Sequence, residues 1–140
     1  MILRAAGLLL AAALGAFAGD LTGVWTGQFA QGRNNAVIVD VAFKFVQTGA
    51  TLTGKLYGDY MSYPVIEGKV EADRIEFVVI TREQRGNEIN DTRFKFTGTF
   101  KETGDMELTR ERQSVSKVGS GEPVTVRNET KPVIKLKRLT

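Results

Sequence analysis

Apolar residues fall at every second position along most of this 140-residue chain, and that period leaves few folds open. Val37, Val39, Val41, Phe43 and Phe45 alternate with Ile38, Asp40, Ala42 and Lys44. Leu52, Gly54 and Leu56 alternate with Thr53 and Lys55, and Ile66, Gly68 and Val70 with Glu67 and Lys69. The same pattern recurs in Ile75, Phe77 and Val79, in Thr92, Phe94, Phe96, Gly98 and Phe100, in Met106, Leu108 and Arg110, and in Ile134, Leu136 and Arg138. A period of two sends alternate side chains to opposite faces of a pleated strand. With Gly23–Phe29 at the start, the pattern amounts to about eight strands. No segment beyond residue 18 carries a helical period.

The connections say how the strands are arranged. Residues 47–50, 71–74 and 101–104 are tight and rich in turn-forming types. Short links between consecutive strands make antiparallel neighbours, hence a meander. The expected fold is therefore all-β: an eight-stranded antiparallel up-and-down β-barrel, which closes its own edges. Following the strands up and down puts the three tight turns at one end. The connections near 30–35, 58–64, 82–91 and 113–131 then fall at the other end, where they read as longer loops. A barrel of that kind is a cup with its mouth among the long loops.

The first residues are a separate matter. Arg4 precedes an apolar run from Ala5 to Phe17, and Ala16-Phe17-Ala18 supplies small residues at a cleavage site. The run is too short for an ordinary membrane span, which needs ~20 apolar residues. It reads as a secretory signal peptide over residues 1–18, followed by a single domain over residues 19–140. The expected location is outside the cytoplasm, periplasmic or extracellular, with no stable membrane insertion after cleavage.

Composition removes several chemistries. The chain has no cysteine and no histidine, so disulfides, thiol catalysis, Cys/His zinc sites and histidine acid–base work are excluded. Its 19 basic and 16 acidic residues give a formal charge of +3. Both signs alternate, as in Arg82-Glu83-Gln84-Arg85, where a nucleic-acid surface would cluster one sign. The carboxylates fall in turns and on outward phases, and no loop has the regular Asp spacing of a calcium site. The reading is a non-enzymatic protein with no catalytic residue, no metal and no cofactor.

Leu21-Thr22-Gly23-Val24-Trp25-Thr26 opens the first strand, and Arg138 ends the last strand on the inner phase of Ile134 and Leu136. Gly23-x-Trp25, a terminal inner arginine and an eight-strand meander resemble the calycin superfamily, the lipocalins, fatty-acid-binding proteins and avidins. The nearest description is a small secreted bacterial calycin-like protein. The resemblance implies that Trp25 plugs the closed end of the barrel, with Arg138 packed across it and Gly23 beside it. A ligand clamp is the other role open to that pair. Avidins surround biotin with several tryptophans, whereas Trp25 stands alone here.

The open end is the expected ligand site. Arg110 falls on the apolar phase near the top of its strand, with Thr81 and Thr92 on the same phase and height. An inward charge must be paired or solvated, so Arg110 meets either an intramolecular partner or a ligand anion. Tyr57, Tyr60 and Tyr63 flank a neighbouring top loop, either packing it or gripping a ligand. Such a cup suits a small apolar or amphipathic molecule, its head on Arg110 and its tail against Phe77 and Phe94. The alternative is a filled barrel acting as a structural or protein-interaction module, since eight strands leave an interior only just wide enough for side chains or one small ligand. Inner glycines Gly27, Gly54, Gly68 and Gly98 either leave room or bend strands. Val78 and Ile80 fall on the outward phase, and a patch there would make the protein a homo-oligomer.

Overall fold

Strands with one apolar face must stack as two sheets or close on themselves. A computed structural model of the chain shows closure. It describes residues 20–101, 103–119, 122–126 and 131–139. The signal peptide read over residues 1–18 lies outside the described residues.

Among the described residues, nine strands are present: β1 (Gly23–Gln31), β2 (Val37–Thr48), β3 (Thr51–Tyr57), β4 (Ser62–Glu71), β5 (Arg74–Arg85), β6 (Glu88–Phe100), β7 (Asp105–Lys117), β8 (Pro123–Thr125) and β9 (Val133–Arg138). Each of β1 to β7 pairs antiparallel with the next, β7 pairs with β9, and β9 returns to β1. Those eight strands form the closed antiparallel barrel expected from the alternation. The ninth, β8, lies outside the ring and pairs with Ser114–Ser116 of β7.

Two of the four upper connections differ from expectation. β5 and β6 continue to Arg85 and Glu88 and are joined by Gly86 and Asn87 alone, so residues 82–91 are a hairpin arm and not a loop. Apart from Ile89, their outer half alternates polar residues with polar residues, and hydrophobicity carries no periodic signal there. Gly86 takes the positive φ that this short turn needs. β7 likewise runs to Lys117 and gains β8 as a partner, so residues 113–117 and 123–125 of that connection are strand. The three lower turns are tight, as expected.

The barrel is filled below and hollow above. Phe43, Phe45, Phe77 and Phe96 are all buried in its lower half. Phe43 stacks on Phe45 at 5.2 Å and Phe77 on Phe96 at 4.8 Å, while the two pairs meet edge to face. Offset and edge-to-face contacts of this kind add to the burial of the rings. The inner glycines serve the bends. A Cβ on Gly54 would run into the Lys44 carbonyl, and one on Gly98 into the Glu107 carbonyl, so these positions bring backbones together and do not make ligand space.

The outer wall corrects one further expectation. Val78 is only 2% exposed although it faces outward. Its flanking strands carry Glu67 and Arg93, whose side chains join at 2.9 Å across β5. Ile80 stays exposed. An ion pair covers this part of the wall.

Candidate functional site

The lower end is a closed floor. Trp25 pairs in register with Arg138, whose guanidinium lies 4.8 Å from the indole centroid. Trp25 is fully buried, and its indole N–H donates to the Leu21 carbonyl at 2.9 Å. Phe100 meets the ring edge-on at 5.8 Å. Arg138 also donates to the Asp20 carbonyl at 2.6 Å, which draws the segment before β1 across the barrel end. The Asp20 carboxylate accepts the Thr22 backbone N–H, which holds its pKa below the usual carboxylate value. Gly23, at positive φ, lies against the Arg138 side chain. With its polar groups answered locally, the floor has the geometry of a plug and not of a clamp.

The upper end holds a cavity of about 400 Å³. Alternation builds it: β1 contributes Phe29, β2 Val39 and Val41, β3 Leu56 and Tyr57, β4 Tyr63, β5 Thr81, β6 Phe94 and β7 Arg110. Arg110 is half-buried, its guanidinium 4.5 Å from the Phe94 ring and 4.9 Å from the Phe29 ring. A cation held over two aromatic faces in a partly desolvated site is attracted by both rings. Thr81 lies on the wall, and its hydroxyl oxygen is buried without a hydrogen-bond partner. Buried hydroxyls are almost always bonded, so this one is an exception within the wall.

Of the expected site residues, Arg110, Tyr57, Tyr63, Thr81 and Phe94 line this cavity. Thr92 is opposite Thr81 in register and buried, but it is outside the lining. Phe77 belongs to the packed lower half and does not reach the cavity. Tyr60 is fully exposed in the turn after β3 and takes no part. Tyr63 is fixed by its hydroxyl, which donates to the Arg82 carbonyl at 3.1 Å. Tyr57 stays exposed, with Lys55 over its ring at 5.1 Å.

Three charged residues, Arg112, Glu83 and Asp40, were missed at the mouth. Arg112 lies two positions beyond Arg110 and reaches the Phe94 ring at 5.8 Å, and Glu83 stands two beyond Thr81. The alternation that selected Arg110 and Thr81 selects both. Asp40 and Glu83 give the rim two carboxylates beside its two guanidiniums. Above it, Arg82 holds Asp91 by two bonds of 2.8 and 3.1 Å, which lowers the Asp91 pKa and raises that of Arg82. Among the described residues, no three carboxylates gather in a way that could hold a metal ion. No protein-family model, curated protein or solved structure matches the chain.

Proposed function

We propose that this chain is a secreted, calycin-like barrel that binds a small apolar or amphipathic molecule at its open end and performs no catalysis. The observation that carries the reading is the upper cavity itself, whose lining sets Phe29, Val41, Leu56 and Phe94 beside the Arg110 and Arg112 guanidiniums. Binding sites for small molecules are commonly apolar hollows with a few placed polar groups. A volume of about 400 Å³ falls toward the lower end of their range. Phe29, Phe94, Leu56 and Val41 suit a hydrocarbon segment, and Arg110 suits an anionic head at the same wall.

The packed phenylalanines of the lower half favour part of the alternative reading, a filled barrel, but only for that half. A ligand here is shallow and occupies the mouth.

The test is titration with a fluorescent fatty-acid analogue. Uptake by the wild type is expected. Arg110→Met roughly keeps the volume and removes the charge, and should weaken binding by ~1.5–3 kcal/mol, the scale of a hydrogen bond to a charged group. No uptake by the wild type, or equal uptake by the variant, would leave the filled-barrel module in its place.

A further inference from the structure

The described chain begins at the closed end of the barrel, and residues 20–22 are fastened there. The Asp20 backbone carbonyl accepts the Arg138 guanidinium at 2.6 Å. Leu21 is fully buried in the core. Its N–H donates to the Gln47 side-chain oxygen at 2.9 Å, and its carbonyl accepts the Trp25 indole N–H at 2.9 Å. The Thr22 hydroxyl accepts the Gln47 backbone N–H at 3.0 Å, and the Thr22 N–H donates to the Asp20 carboxylate at 2.9 Å. Gln47 is held in turn, since its side-chain amide donates to the Gly49 carbonyl at 3.0 Å. The segment is a strap across the floor, tied to β1, β2 and the end of β9. Gln47 is 25 residues beyond Thr22 and Arg138 is 118 beyond Asp20, so the strap forms only once these strands have assembled.

The strap's place in the sequence sets an order of events. The Ala18–Gly19 bond, which follows the small residues of the cleavage site, is one residue before Asp20. A peptidase takes accessible, loosely held chain, which is why cutting concentrates where backbone and side chains are free. Just beyond that bond, Asp20, Leu21 and Thr22 all have groups committed to the floor. Freeing them withdraws a buried leucine and breaks the bonds to Gln47, Trp25 and Arg138.

We infer that the signal peptide must be removed before the floor closes, because the strap makes the folded precursor a poor substrate for signal peptidase. The inference rests on residues 1–18 being a cleaved signal peptide. A folded chain is cut through the fraction of molecules whose segment is open, so the strength of the strap sets the rate.

The experiment treats the folded full-length chain, and a peptide of residues 1–30, with signal peptidase in one mild detergent and follows the Ala18–Gly19 cut by mass spectrometry. The peptide lacks Gln47 and Arg138 and cannot form the strap. It should be cut rapidly, and the folded chain slower by about tenfold or more. Trp25, the chain's one tryptophan, reports by its emission that the floor is closed in each full-length sample. Gln47→Ala and Arg138→Ala each remove a tie without altering the residues around the bond. Each folded variant should be cut faster than the folded wild type, by about threefold or more. Asp91→Asn, which breaks an ion pair at the other end of the barrel, should match wild type. Equal rates for the peptide and the folded wild type, no acceleration in either strap variant, or the same acceleration in Asp91→Asn would overturn the inference while the signal reading stands. A peptide left uncut at that bond would remove the signal reading itself.

Discussion

Thr81 carries a hydroxyl that the folded chain buries without a bond. Such a group costs ~1–3 kcal/mol, whereas an apolar group of the same shape does not. Thr81→Val should therefore raise the urea-unfolding free energy of the ligand-free protein by about 1 kcal/mol. A loss of stability would mean that the hydroxyl has a partner, such as an ordered water. Trp25 gives the opposite case. The buried indole and the Arg138 guanidinium are in contact, so Trp25→Ala should cost ~3–5 kcal/mol and Arg138→Ala less. In a double-mutant cycle the two should be non-additive, and strict additivity would remove the contact as a source of stability. Both residues were legible in the sequence because alternation assigns a face. Arg112 was just as legible by its place two beyond Arg110, but Arg110-Glu111-Arg112 also resembles a solvated run of mixed charge. Thr92 and Phe77 were given the right face but fall outside the cavity lining, because phase says nothing of how far up the barrel the packing extends.

The β5–β6 hairpin shows what strand reading leaves out. Periodicity located the inner halves of both strands, where Phe77, Val79, Phe94 and Phe96 are buried. It stopped at Thr81 because residues 82–91, Ile89 apart, carry no large apolar side chain. What identifies that arm is pairing across strands: Arg82 opposite Asp91, with a bidentate bond between them. Bonding to Arg82 is the largest cause holding the Asp91 pKa below its unfolded value. Folding therefore gains from the pair at pH values above the ordinary carboxylate range, and loses that gain as pH falls through the lowered value. Wild type should lose stability over that acidic window, measured by urea unfolding at a series of pH values. Asp91→Asn should lack this part of the acid dependence and match wild type only at the acid end. Parallel curves for the two proteins would show that the pair contributes nothing, as many surface ion pairs do. The outer wall of β4, β5 and β6 follows similar logic. Phase correctly turned Val78 outward, but only three-dimensional proximity shows Glu67 and Arg93 meeting over that strand.

Closure of the whole barrel divides the molecule into two tasks. The lower half holds a continuous aromatic and aliphatic core with the Trp25–Arg138 floor beneath it, and the upper half holds the cavity. Stability should therefore reside mostly below and affinity mostly above. A ligand that binds only the folded barrel adds RT ln(1 + [L]/Kd) to its stability, ~2.7 kcal/mol at one hundred times Kd. That increment depends on Kd and not on the starting stability. Trp25→Ala should lower the unfolding free energy yet, while still folded, bind the fluorescent fatty-acid analogue within about twofold of wild type, because mutations at distant sites usually act independently. Saturating analogue should then raise wild type and Trp25→Ala by the same amount. Arg110→Met should show the reverse, with a reduced increment at equal analogue concentration and a smaller change in its ligand-free stability. Parallel thermal and urea unfolding with and without analogue measures all three proteins. If Trp25→Ala weakens affinity in proportion to its loss of stability, floor and mouth are one cooperative unit, and the separation between a filled base and a binding rim is lost.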